Sequence, residues 1–114
     1  MPLQQGSIVW IATKDQAGRN SKCRPVVILS STHDIASGKQ LAGVAATGTF
    51  SKPLPTNRIE LPWKNGKHPV TGLYKPCVAV CDWIVKLDQS DIVSIGGIVP
   101  DSLLAAILSM APIG

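Results

Sequence analysis

The stretch "SKCRPVVILSS", residues 21–31, decides how the chain is read. Its unbroken run of strand formers, from residue 24 to residue 30, reads as a strand that is apolar on both faces and central to a sheet. Yet it opens with Arg24 and Pro25, directly behind the polar, glycine-containing "TKDQAGRN" of residues 13–20. Proline has no N–H to donate, so Pro25 is tolerable only where that side of the strand faces no neighbour. An arginine at such a strand mouth either lays its stem over the end of the sheet or holds a fixed cation ready for an anion. Position alone favours the covering role; the rest of the chain bears on the other.

Working outward, "SIVWIAT" (7–13) is a strand after Gly6, and "KDQAGRNSK" (14–22) is an exposed loop carrying Lys14, Arg19 and Lys22. "THDIASGKQ" (32–40) has turn chemistry with one helical turn. "LAGVAAT" (41–47) and "NRIELP" (57–62) supply a third and a fourth strand. Residues 63–76 hold Asn65-Gly66 and two prolines and form a long loop, after which "CVAVCDWIV" (77–85) and "DIVSIGGIV" (91–99) are the fifth and sixth strands. The closing "PDSLLAAILSMA" (100–111) starts as a helix should, with Pro100 and Asp101, and carries no charge afterwards. A surface helix keeps a polar face. This one is therefore expected to pack both on its own domain and against a partner chain. Short strands with little helix predict a mainly-β domain, a small curved sheet closing into a barrel.

Composition limits the alternatives. With 114 residues, one domain spanning 1–114 is expected, and 45% apolar content with both charge signs excludes disorder and a coiled coil. The net charge of +4 tilts the partner toward a polyanion. Three cysteines, Cys23, Cys77 and Cys81, are an odd number, which predicts free thiols and a reducing cytoplasm. "MPLQQGS" does not read as a signal peptide, and the apolar C-terminal region is broken by Gly, Pro and Asp101, so no membrane span is expected. Cys77 and Cys81 lack the tight pairs of a zinc site and read as core residues. No metal and no cofactor are expected.

Several polar groups could join Arg24. In "VAATGTFSKPLPT" (44–56), Thr47, Thr49 and Ser51 alternate with Gly48 and Phe50, so on extended backbone their hydroxyls share one side, and Lys52 adds charge. Such a strand end suits phosphate oxygens, although hydroxyl-rich strand ends are common. Asp82 closes "VAVCD" and, by period-two alternation, falls on the face of Val78 and Val80, as a general base or as a cap for the next turn. His68, near Lys64 and Lys67, and Trp63 beside them could meet nucleic acid, whereas His33 carries no specific signal.

Together these pieces resemble the MazF/PemK-type toxins. The opening "GSIVWIATKDQAGRNSKCRPVVILS", the third strand ending at Thr47 with "LPT" and "RIEL" behind it, "TGLYKPCVAVCDWIVKLDQSDI", and "IGGIVPDSLLAAIL" follow that family's order and spacing over nearly the whole chain. The resemblance implies a dimeric SH3-like barrel with a C-terminal helix. It implies a growth-inhibiting toxin of a type II toxin–antitoxin pair, working in the cytoplasm as a homodimer and neutralised by a small acidic antitoxin. It also implies a metal-independent endoribonuclease that cuts single-stranded RNA at short sequences through a 2′,3′-cyclic phosphate. Under it Arg24 stabilises the scissile phosphate, Thr47 contacts it and Asp82 is the base, with Lys22, Thr49, Ser51, Lys52 and His68 along the RNA. The family's R-C-D triplet here reads Val80-Cys81-Asp82, so its second arginine is missing and the donor to the leaving oxygen is open, His68 being one candidate. Two other readings stand beside this one: a non-catalytic gyrase poison of the CcdB type, disfavoured by a C-terminus "MAPIG" without tryptophan, and an inactive barrel that binds nucleic acid or protein.

Overall fold

A computed structural model describes residues 3–15 and 17–111. The elements in chain order are β1 (Ser7–Thr13), β2 (Lys22–Ile28), α1 (Thr32–Ala36), β3 (Leu41–Thr47), β4 (Arg58–Glu60), β5 (Val78–Leu87), a 3₁₀ turn (Gln89–Asp91), β6 (Ile92–Ile98) and α2 (Asp101–Met110). All six strands join one antiparallel sheet in the order β4-β5-β3-β2-β1-β6. The fold is mainly β with a C-terminal helix, as the sequence predicts. The sheet is barrel-like but not closed, because β4 and β6 are its two edges.

Apolar runs on both faces of the central strands make sense because both faces are covered. On one side Ile8, Val27, Leu29, Val44, Leu61, Leu73, Ala79 and Cys81 pack with Ile107 of α2. On the other, Val9, Ile11, Val26, Ile28, Leu41 and Leu87 pack with Ile35 of α1. Neighbours such as Ile8 and Val9, or Val26 and Val27, thus fall in opposite clusters, the alternation expected of a strand. Burying a side chain of this size contributes about 1.5–3 kcal/mol.

Alternation fails in one place. Opposite β3, Val44 pairs with Ile84 while Ala46 pairs with Ala79, so two steps along β3 span five along β5. The surplus is absorbed around residues 80–83 as a large bulge. Cys81 and Ile84, three apart, consequently face the same core.

The helix α2 corrects the expectation that it is apolar all round. Ile107 is fully buried, and Leu103, Leu104 and Leu108 pack behind it. The outward positions Ser102, Ala105 and Ser109 are exposed and lie along one stripe at helical spacing. Two serines give this face the polarity that a count of charges misses.

Sulfur placement yields a prediction. Cys77 and Cys81 are buried in one core cluster, whereas Cys23 is exposed on β2. Burial pushes the Cys77 thiol up to about 11, and burial with the nearby Asp82 charge raises Cys81. An aromatic disulfide reagent at neutral pH will therefore label Cys23 quickly in the native protein and the other two only in denaturant. Mass spectrometry of a short exposure checks this, and rapid labelling of Cys77 would contradict the packing.

Candidate active site

Pro25 explains where the sheet opens. Residues 22–27 of β2 all pair with β1, from Thr13↔Lys22 to Ile8↔Val27, but pairing with β3 starts only at Val26↔Ala45. Lys22 to Pro25 are therefore bound on one side only, and β3 continues to Thr47 without them. A cleft of about 760 Å³ lies at this opening. Its wall holds Arg24 and Lys22 from β2, Thr47 at the end of β3, Thr49 and Ser51 from the following loop, and Arg58 of β4. A smaller hollow of about 180 Å³, with Trp10 and Tyr74 in its wall, shares Lys22, Arg24 and Thr47 with the cleft.

Arg24 is held rather than splayed. Only 7% of it is exposed. Its Nε donates to the Thr13 carbonyl at 3.4 Å and its Nη2 to the Asn20 carbonyl at 3.0 Å, while the guanidinium carbon lies 5.4 Å from the centre of the Trp83 ring. A guanidinium has five N–H donors. Two are spent on these carbonyls, which fix its pose, and the others are available to a ligand. Stacking on Trp83 adds a cation–π contact while leaving the charge intact.

The carbonyl of Asn20 is itself positioned by a folded loop. Asp15 accepts from the Arg19 backbone N–H at 2.8 Å through Oδ1 and from Asn20 Nδ2 at 3.0 Å through Oδ2. Gly18, at φ +83°, and Asn20, at φ +55°, supply the left-handed backbone that this tight loop needs. The Arg19 N–H chiefly, with the Asn20 amide, the Ala17 N–H and then the Arg24 charge behind it, holds the Asp15 carboxyl below its ordinary value of 3.8.

Thr47 is half-buried, and its Oγ1 accepts from the Thr49 backbone N–H at 3.1 Å. That bond fixes the oxygen and leaves the hydroxyl proton free to donate into the cleft.

The structure thus brings Arg24, Thr47, Lys22, Thr49 and Ser51 to one cleft. Three other residues expected there lie outside its wall. Asp82 is exposed and sits in the β5 bulge, where the alternation that put it with Val78 and Val80 breaks down. Val80 and Trp83 line the cleft instead. Lys52 points to Glu60, 3.4 Å away. His68 serves its own loop: Nδ1 accepts from the backbone N–H groups of Val70 and Thr71 at 3.1 and 3.2 Å. Asp15, Arg58 and Trp83 are cleft residues that sequence reasoning missed, since their convergence depends on strand pairing and loop closure. Among the described residues, no cluster of three or more His, Cys, Asp or Glu side chains could hold a metal ion.

Fold and cleft together define a small basic β domain with a fixed cation at the end of its central strand. The family model of the PemK-like, MazF-like toxins of type II toxin–antitoxin systems matches residues 4–111, and the chain belongs to that family. Among solved structures, it is similar to MazF from Deinococcus radiodurans, with 24% identity, a TM-score of 0.68, and coverage of 96% of this chain and 93% of that one. An endoribonuclease from mycobacterial species is similar at 15% identity and a TM-score of 0.65, over 98% and 95% of the two chains. A chain of the MazE–MazF complex from Deinococcus radiodurans follows at 20% identity and a TM-score of 0.63, over 96% and 91%. These likenesses establish the fold. No curated protein matches the chain.

Proposed function

We propose that this toxin is a metal-independent, sequence-selective endoribonuclease acting on single-stranded RNA in the cytoplasm. The observation that carries the reading is the Arg24 guanidinium, 7% exposed, tied to two backbone carbonyls and facing a cleft it shares with the Thr47 hydroxyl. Such a preorganised donor stabilises charge that develops on phosphate oxygens, and one well-aimed group contributes roughly 3–4 kcal/mol to the transition state. In the proposed reaction the ribose 2′-hydroxyl attacks the adjacent phosphorus. The 2′-hydroxyl gives its proton to the base, and the bond to the 5′-oxygen of the next nucleotide breaks. That oxygen takes a proton from solvent water, leaving a 2′,3′-cyclic phosphate and a 5′-hydroxyl. Arg24 neutralises the phosphate oxygens and Thr47 positions them. Lys22, Thr49 and Ser51 lie along the same wall, suited to the RNA backbone.

Purified protein incubated with mixed-sequence RNA in chelator should give products ending in 2′,3′-cyclic phosphate at a short recurring sequence. Arg24→Ala should cut the rate by a factor of about 100–1,000. Equal cleavage by mutant and wild type would remove Arg24 from the chemistry. Binding without cleavage by the wild type would favour an inactive RNA-binding barrel.

Asp15 takes the base role expected of Asp82 because it is the carboxylate in the cleft wall. An ionised carboxylate has about four acceptor positions. Arg19 and Asn20 fill two and the Ala17 backbone N–H a third, which leaves one for a 2′-hydroxyl proton. The carboxyl sits below 3.8, so it is ionised at every pH above that value and its rate contribution falls only as the pH drops through it. Cleavage should accordingly be flat from roughly pH 5 to 8, and Asp82→Asn should leave it unchanged. An acid limb near pH 6.5, the usual histidine value, would transfer the role to an imidazole.

The partners follow from charge and exposed apolar surface. A net charge of +4 and a cationic cleft suit a small acidic antitoxin, and the similar Deinococcus toxin was solved with MazE. Val93 and Ile95 on the edge strand β6, 67% and 42% exposed, and the exposed Met110 of α2 suit a homodimer. Light scattering at micromolar concentration should give twice the 12.0 kDa chain mass, and a monomer there would defeat the dimer.

A further inference from the structure

Arg58 is the second guanidinium in the cleft, and nothing in the expected machinery uses it. It stands on β4 directly opposite Val80 of β5, and Val80 also lines the cleft. Residues paired across antiparallel strands project to the same face, so Arg58 and Val80 share one wall. The small apolar Val80 leaves the arginine room and gives it no partner. Among the described residues the half-buried Arg58 side chain makes no hydrogen bond and no ion pair, whereas the nearby carboxylate of Glu60 is engaged by Lys52. Arg24 spends two of its donors on carbonyls; Arg58 spends none. A cation brought to a cleft wall and left unpaired there is suited to an anion that arrives from outside.

The sheet order says which anion. Arg58 on β4 and Arg24 on β2 stand on the wall of one cleft, with β5 and β3 between their strands in the sheet order. Two cations set on separate strands of one wall are suited to successive phosphates of a nucleic-acid backbone rather than to a single phosphate group. We propose that Arg58 grips a phosphate flanking the scissile one, so that the two guanidiniums bracket the RNA and set which linkage reaches Arg24. This rests on the nuclease reading above. Arg58 is accordingly a binding and register residue, and its contact is made equally in the ground state and the transition state.

The test uses short single-stranded RNA oligonucleotides around the cleavage sequence mapped for the wild type. Two lengths are compared, one carrying a single nucleotide on each side of the scissile linkage and one extended by further nucleotides on either side. A copy with 2′-deoxyribose at the scissile position reports binding without cleavage. Arg58→Met should raise KM and the dissociation constant for the extended oligonucleotide by about tenfold, with kcat nearly unchanged, as expected for uniform binding. The slope of log affinity against log salt should fall by about 0.7, the value of one phosphate contact on a single strand. Extension should help the wild type and no longer help Arg58→Met, a coupling that a purely structural role would not produce. Arg58→Lys should keep the salt slope, and it serves as the second variant if the methionine variant does not fold. Wild-type cleavage with identical KM, salt slope and length dependence in the variants overturns this inference alone. Loss of kcat at unchanged KM also overturns it, by putting Arg58 on the reacting phosphate. Failure of the wild type to bind or cleave RNA instead removes the nuclease reading beneath it.

Discussion

One missing N–H organises this molecule. Pro25 cannot donate, and β3 joins β2 only from Val26 onward, so a strand otherwise sandwiched in the sheet is single-sided over its first four residues. The cleft is arranged around that opening. The single-sided half of β2 carries Arg24, the run-on end of β3 carries Thr47, and the end of β1 and the loop after it each present one carbonyl, of Thr13 and Asn20, to the guanidinium. The closed half of the same strand, Val26 to Ile28, is completely buried and anchors both cores. A rigid foundation and an open site are therefore consecutive segments of one strand.

The electrostatics follow the same economy. A free arginine on a flexible loop would lose side-chain entropy on meeting a phosphate, about 2 kcal/mol at most. Arg24 has lost that freedom already through Thr13, Asn20 and Trp83. Asp15 stabilises the loop that makes this possible without pairing with Arg24 directly; its oxygens go to Arg19 and Asn20. The cation is thus oriented by neutral carbonyls and a ring face, and its charge is left for a ligand.

Much of the architecture was legible in the residues. β1 and β3 run from Ser7 to Thr13 and from Leu41 to Thr47, the bounds that β propensity and the flanking turn residues indicate. β2 begins two residues earlier than its apolar run, because Lys22 and Cys23 pair with Thr13 and Ala12 although neither is buried. Pairing, unlike propensity, leaves no local mark. For the same reason Arg58 read as an ordinary strand residue: its place opposite Val80 is a fact of register between segments twenty residues apart. Asp82 went astray because alternation was extended through a bulge that only the β3–β5 pairing reveals. Asp15 looked like loop polarity until the loop closed round it. On the outer face of α2 the hydroxyls of Ser102 and Ser109 supply polarity that a count of charges passes over, beside the exposed Met110.

The β5 bulge has a consequence for how such a chain can vary. Cys77 and Ala79 before it, Cys81 within it and Ile84 beyond it all serve the same core, although two steps of β3 face five of β5 across the interruption. Within the interruption Val80 and Cys81 are buried and Asp82 is exposed, so the outward position there can be exchanged without disturbing the packed interior. The interruption works as a joint that carries one strand from the interior to the rim and back.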